Sequence, residues 1–148
     1  MENHNTEDSV FQEIPTEKIY TEKQIRLGTF FCGPLVAGYC LAENFKAFGD
    51  KEKAKKTWLI TILSSFLVIL LIFSIPENIN IPNIIFPIIY TGIASFIIKK
   101  YQEKDIKKHL ENGGETFGGW RTVLIGLISL AAFCLVIIGA YILLDLAL

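Results

Sequence analysis

Residues 57–76 read TWLITILSSFLVILLIFSIP. No face of this stretch carries a charge, and as a helix its 20 residues rise about 30 Å, the thickness of a bilayer's hydrocarbon core. A helix of a water-soluble fold keeps a polar face, with apolar residues recurring at i, i+3, i+4 and i+7. Thr57–Pro76 has no such face, and a chain of 148 residues is too small to bury so long an apolar cylinder on all sides. The stretch reads as a membrane span within a single domain.

The charges outside it agree. All 14 Lys and Arg residues lie in the N-terminal region, in 43–56 or in 99–121, and none lies in 57–98 or 122–148. Residues 43–56 hold Lys46, Lys51, Lys53, Lys55 and Lys56; residues 99–121 hold Lys99, Lys100, Lys104, Lys107, Lys108 and Arg121. The 77–82 turn and the C-terminal end hold no base, only Glu77 and Asp145. Cytoplasmic loops keep the Lys and Arg excess, so both long loops are expected in the cytoplasm and the C-terminus outside. The net charge of −1 gives no reason to expect a nucleic-acid partner.

The expected architecture is all-α: four transmembrane helices over about 27–45, 57–76, 83–100 and 120–147, arranged as two antiparallel hairpins. Residues 1–20 read as a mobile acidic tail and 21–148 as the membrane domain. Thr21 and Gln24 form a capping-box pattern that starts the first helix. Leu27–Ala42, LGTFFCGPLVAGYCLA, is short for a span at 16 residues and contains Gly33-Pro34. The alternative therefore has three spans, with this segment lying in or dipping into the inner leaflet and the N-terminus in the cytoplasm. A weak internal repeat (Lys56-Thr57 against Arg121-Thr122, Pro34 against Pro87) favours the four-span form. Lys99–Asn112 is expected to carry the third helix into water along a thin stripe of Ile98, Gln102, Ile106 and Leu110, with Gly113-Gly114 as its stop. Trp58, Trp120 and Arg121 are expected as interface anchors.

Chemistry is sparse. The first 26 residues lack the basic and apolar regions of a secretory signal, so the whole chain is expected to be kept. Cys32, Cys40 and Cys134 read as small buried hydrophobes, and no metal or cofactor site is expected. At membrane depth no span carries a His, Lys or Arg to activate Ser64, Ser65, Ser95 or Ser129, so no catalytic residue is assigned and the protein reads as a non-enzyme. His109 and His4 are expected in solvent. The candidate functional or packing residues are Gly33, Pro34, Gly38, Glu43 and Asn44. Gly33-Pro34 could break the helix to line a site or merely kink it. Gly33/Ala37, Thr61/Ser65 and Thr91/Ser95 supply small-residue faces for close helix approach. Glu43 is expected as an interfacial anchor or as the partner of Lys46 in an i,i+3 ion pair. The loop lysines could face anionic headgroups, although topology alone accounts for them.

The run FxxGPLxxGYxLAENFKAFG, the PENIN before the third span and the GGWRT before the fourth resemble a group of small, uncharacterised bacterial inner-membrane proteins. These share a Gly-Pro-Leu element, an Asn-aromatic pair after it and a GG…W-R start to the last span. Gly33, Pro34, Leu35, Asn44, Phe45, Gly114, Trp120 and Arg121 are the matching positions. The resemblance implies an integral membrane placement and no particular activity. Two functions are expected: a self-associating or accessory subunit of a membrane complex, whose partners are the lipid bilayer and a membrane protein or a second copy; or a small transporter or channel with Glu43 and Asn44 at its mouth.

Overall fold

The computed structural model describes residues 15–76 and 81–147. The expected tail up to residue 14 and residues 77–80 of the 77–82 turn lie outside the described residues. The described residues are all-helical: α1 (Glu22–Cys32), α2 (Pro34–Ala47), α3 (Lys51–Ser74), α4 (Ile85–Tyr101), α5 (Glu103–Glu111) and α6 (Gly119–Ala147). A single parallel bridge, Ile19 to Thr116, stands outside the helices.

The expected helical span over 27–45 is not one helix. α1 begins as its sequence dictates: the Thr21 hydroxyl accepts from the Gln24 amide at 3.3 Å, and the Gln24 side chain accepts from the Thr21 amide at 2.9 Å. It ends at Gly33, whose φ of 92° and ψ of 178° belong to a backbone region essentially reserved for glycine. Pro34 then starts α2 at the first helical position, where its missing donor costs nothing. The chain folds back on itself there. Tyr20, ahead of α1, is hydrogen-bonded to Asn44, in the last turn of α2. An unbroken helix would hold those residues about 36 Å apart. Residues 20–47 are therefore a helical hairpin with both ends at one end of the molecule, unlike the single helix that contains Pro87. The two prolines therefore do not mark equivalent halves.

Glycines set the packing around the hairpin. A Cβ on Gly28 would stand 2.9 Å from Val36 Cγ1 and 3.0 Å from Thr122 Cγ2, so α1 lies close against both α2 and α6. A Cβ on Gly38 would overlap the Thr61 side chain, and one on Gly126 would press on Cys32. The core is centred on the hairpin: Ile19, Tyr20, Ile25, Val36, Cys40 and Leu41 pack with Ala94 and Ile98 of α4 and Ile106 of α5. Tail residues Ile19 and Tyr20 are fully buried, so the folded region starts before residue 21. Main-chain bonds Ile19 N to Glu115 O (3.2 Å) and Phe117 N to Ile19 O (2.8 Å) zip this segment to the α5–α6 connection.

Helix ends follow local chemistry. α2 closes with Gly49 at φ 83°, its amide donating to Lys46 O and the Asp50 amide to Phe45 O. Asp50 then caps α3 by accepting from the Lys53 amide at 2.9 Å. α5 closes in the same way, with Gly113 at φ 75°, as its sequence predicts. The helix does not run unbroken from α4 into α5: Gln102, with φ −127°, separates them. Ile98, Gln102 and Ile106 of the expected stripe are buried, but Leu110 is exposed.

Among the described residues two helices are long and apolar enough to cross a membrane, over Lys51–Leu71 and Gly119–Gly139, and only 17% of each stretch is buried. The expected third span, α4, is a 17-residue helix with Pro87 in its first turn.

Candidate functional site: a latched hairpin and the groove beside it

The base of the hairpin is closed by a buried polar latch. Asn44 Oδ1 accepts from the Tyr20 amide at 2.7 Å, and Asn44 Nδ2 donates to the Tyr20 carbonyl at 2.8 Å and to Gln102 Oε1 at 3.2 Å. Gln102 Nε2 donates to the Leu41 carbonyl at 2.8 Å. Tyr20, Asn44 and Gln102 are all fully buried. The Asn44 amide satisfies the main-chain groups of Tyr20, which lie outside the helices, and leaving either unpaired costs ~1–3 kcal/mol. Gln24 adds a further tie by donating to the Phe117 carbonyl at 2.6 Å. Asn44 is the central residue of the latch.

Aromatic rings form a layer at the same level. Phe117 stacks on Tyr20 (4.5 Å between centroids), Tyr20 meets Tyr39 edge-on (6.3 Å), and Tyr39 meets Trp58 (6.1 Å). Arg121 lies 3.9 Å over the Phe117 ring. The row joins α6, the hairpin and α3, each ring pair adding ~0.5–1.5 kcal/mol beyond its burial. Burial, with Cys40 nearby, pushes the Tyr20 phenol above its ordinary pKa. Trp58 is half-buried within this row, Arg121 caps it, and Trp120 points outward with most of its surface exposed.

The remaining candidates separate. Gly33 and Pro34 form the tip of the hairpin, and Gly38 is the contact with Thr61 on α3. Glu43 is bound to Lys46 at 2.6 Å, the expected i,i+3 pair, and lines neither of the two cavities described below. It does not share a mouth with Asn44, whose side chain is closed inside the latch. His109 is buried rather than solvent-exposed: its ring fills the space that Gly114 leaves open and lies 3.1 Å from the Glu115 carbonyl. The three cysteines are free, with Cys40 buried, Cys32 half-buried and Cys134 exposed, so only the first fits the expectation of a small core residue. No cluster of three or more His, Cys, Asp or Glu at metal-binding range occurs among the described residues.

A groove of about 470 Å³ opens between α3 and α4, floored by Pro34, Ala37, Gly38 and Leu41 of α2. Ile60, Thr61 and Ser64 line one wall and Tyr90, Ile93 and Ile97 the other. Lys53, Lys56, Thr57 and Tyr101 stand at its basic end. A smaller cavity of about 250 Å³ lies at the hairpin tip and shares Pro34, Val68 and Tyr90 with the groove. Sequence reasoning missed this groove and the role of Gln102, although Gln102's place in an apolar stripe was a usable signal. It also missed Tyr20, whose contacts are all distant in sequence.

Compared with protein-family models, curated proteins and solved structures, the chain finds no match.

Proposed function

We propose that the chain is a non-enzymatic integral membrane protein in which α3, α4 and α6 cross the bilayer while the α1–α2 hairpin dips in and out from the basic, cytoplasmic side. In this reading it serves as a self-associating or accessory subunit of a membrane complex. The observation that carries it is the Tyr20–Asn44 latch, which returns the chain to the end where residues 43–56 and 115–121 lie. At ~1.5 Å per residue, α1 and α2 reach about 16 and 21 Å, deep enough to enter the hydrocarbon but not to cross it. Irregular backbone at membrane depth is tolerated where it is buried in protein or lines a cavity, and Gly33 opens onto a cavity that it shares with Val68, Phe86 and Leu130 of α3, α4 and α6. The apolar outward faces of α3 and α6 would be a severe liability in water and are ordinary in lipid. The latch amides are committed to one another, which supports a structural role for the polar core.

Cysteine labelling tests the topology in a chain whose three native cysteines are replaced by Ala. Glu17→Cys and Asp105→Cys should react from the cytoplasmic face only, and Asp145→Cys from the opposite face only. Outward labelling of Glu17→Cys would restore the four-span arrangement. For the accessory role, extraction in mild detergent should recover the protein with a second copy or a membrane partner; a monodisperse monomer without company would count against it.

The transporter reading is favoured by one specific observation, the meeting of the two cavities at Pro34, Val68 and Tyr90. It predicts solute flux in proteoliposomes that Ile93→Trp, placed in the groove wall, abolishes.

A further inference from the structure

We infer that the α2–α3–α4 groove is a binding site for one anionic phospholipid, with an acyl chain along the groove and the phosphate at its basic end. The groove's size lies within the ~300–1,000 Å³ that small-molecule sites occupy. Its chemistry is graded along its length. The floor and walls between Pro34 and Ile97 are largely apolar, interrupted by the Thr61 and Ser64 hydroxyls. Those hydroxyls are turned onto their own helix, donating to the carbonyls of Thr57 and Thr61 at 2.7 and 3.0 Å. They therefore present little unmet polarity to a hydrocarbon chain.

Positive charge gathers at one end only. Lys53 and Lys56 line the mouth; Lys100, outside the lining, stands beside it, 5.3 Å from the ring centroid of the lining residue Tyr101 and 5.8 Å from that of Phe96. Lys53 is shared with Asp50 at 2.7 Å. Lys56 has no ion pair among the described residues, which leaves it, with Lys100 and the Thr57 and Tyr101 hydroxyls, to receive a phosphate. This grading from cation to hydrocarbon matches one amphiphile lying along the membrane normal. A helix of a second copy would instead set uncharged surface against the lysines.

The site rests on the membrane reading above, and the experiment separates the two. The full-length chain is reconstituted into nanodiscs of equimolar phosphatidylglycerol and phosphatidylcholine, and lipid retained after release is counted by native mass spectrometry. One phosphatidylglycerol per chain is expected. Lys56→Gln and Lys100→Gln should each lower its retention about fivefold, the effect of one lysine at an anionic surface. Ser64→Trp, which fills the groove without changing charge, should abolish retention of either lipid; Ile93→Trp does the same from the opposite wall should the first variant fold poorly. Lys104→Gln with Lys108→Gln, on α5 away from the groove, should change nothing. Equal losses from that α5 pair would reduce the effect to bulk surface charge and overturn the site. So would undiminished retention in both Trp variants, or a dimer that they dissociate. Recovery of the chain in water without detergent would instead overturn the membrane reading itself.

Discussion

The α1–α2 hairpin and the long helices α3 and α6 are all rich in apolar residues, yet they use them in opposite ways. α2 turns most of its length inward: Val36, Cys40, Ala42 and Asn44 are fully buried. On α3 and α6 the large side chains point out, with Leu59 72% and Leu135 70% exposed. The hairpin is held by specific contacts: an amide latch, a glycine reversal and glycine-to-threonine packing. The long helices need only their composition. Apolar content thus says that a segment avoids water; it does not say whether protein or lipid takes water's place.

Substitutions sharpen that contrast. The largest effect is expected at the latch. Asn44→Ala orphans both main-chain groups of Tyr20 and an oxygen of Gln102, and should cost about 3 kcal/mol or more. Thermal unfolding in detergent would show it as a large drop in Tm, whereas Ile128→Ala or Leu135→Ala on the outer face of α6 should stay within ~0.5 kcal/mol. Equal losses in both places would break the comparison.

Gly38→Ala comes next, at up to about 3 kcal/mol, because its Cβ overlaps Thr61 and the two helices must part. Adding Thr61→Ala should recover part of the loss. Gly92→Ala and Gly139→Ala, with nothing within 4 Å of the new Cβ, should be silent in the same assay.

Gly33→Ala should cost roughly 1–2 kcal/mol, toward the low end of such strain, since its added carbon also meets nothing within 4 Å and only the backbone conformation resists. A silent Gly33→Ala would mean that the reversal does not hold this φ.

The smallest effect concerns pH. The Lys18 ammonium, 2.6 Å from Glu115, holds that carboxyl below its ordinary value of 4.5. Its contribution is present above pH 4.5 and is lost as the pH falls through the lower folded value. Glu115→Gln should remove this slight acid sensitivity, read as the difference in Tm between neutral and acid buffer. Both side chains are well exposed, so the difference will be slight.

The two long helices were legible in the sequence because a run without charge constrains every face at once. The capping box at Thr21, the stop at Gly113 and the Glu43–Lys46 pair were legible too, since each joins residues only a few positions apart. The hairpin was half legible. Gly33-Pro34 announced a break, but a break does not state an angle, and a kinked span and a full reversal have the same local chemistry. What selects reversal is Asn44 meeting Tyr20 and Gln102, partners 24 and 58 residues away. Asn44 beside a charged Glu reads as an interfacial residue until those partners are in place.

His109 was hidden for a related reason. It sits in a lysine-rich stretch whose average polarity says solvent, while burial depends on which face meets a neighbour. By itself the sequence determined helical class, the apolar segments and the concentration of positive charge, because these follow from side-chain solvation residue by residue. Only the tertiary structure decided that the first apolar segment turns back and that a groove opens beside it. Those outcomes depend on contacts between distant residues, whose free energies no local stretch of chain contains.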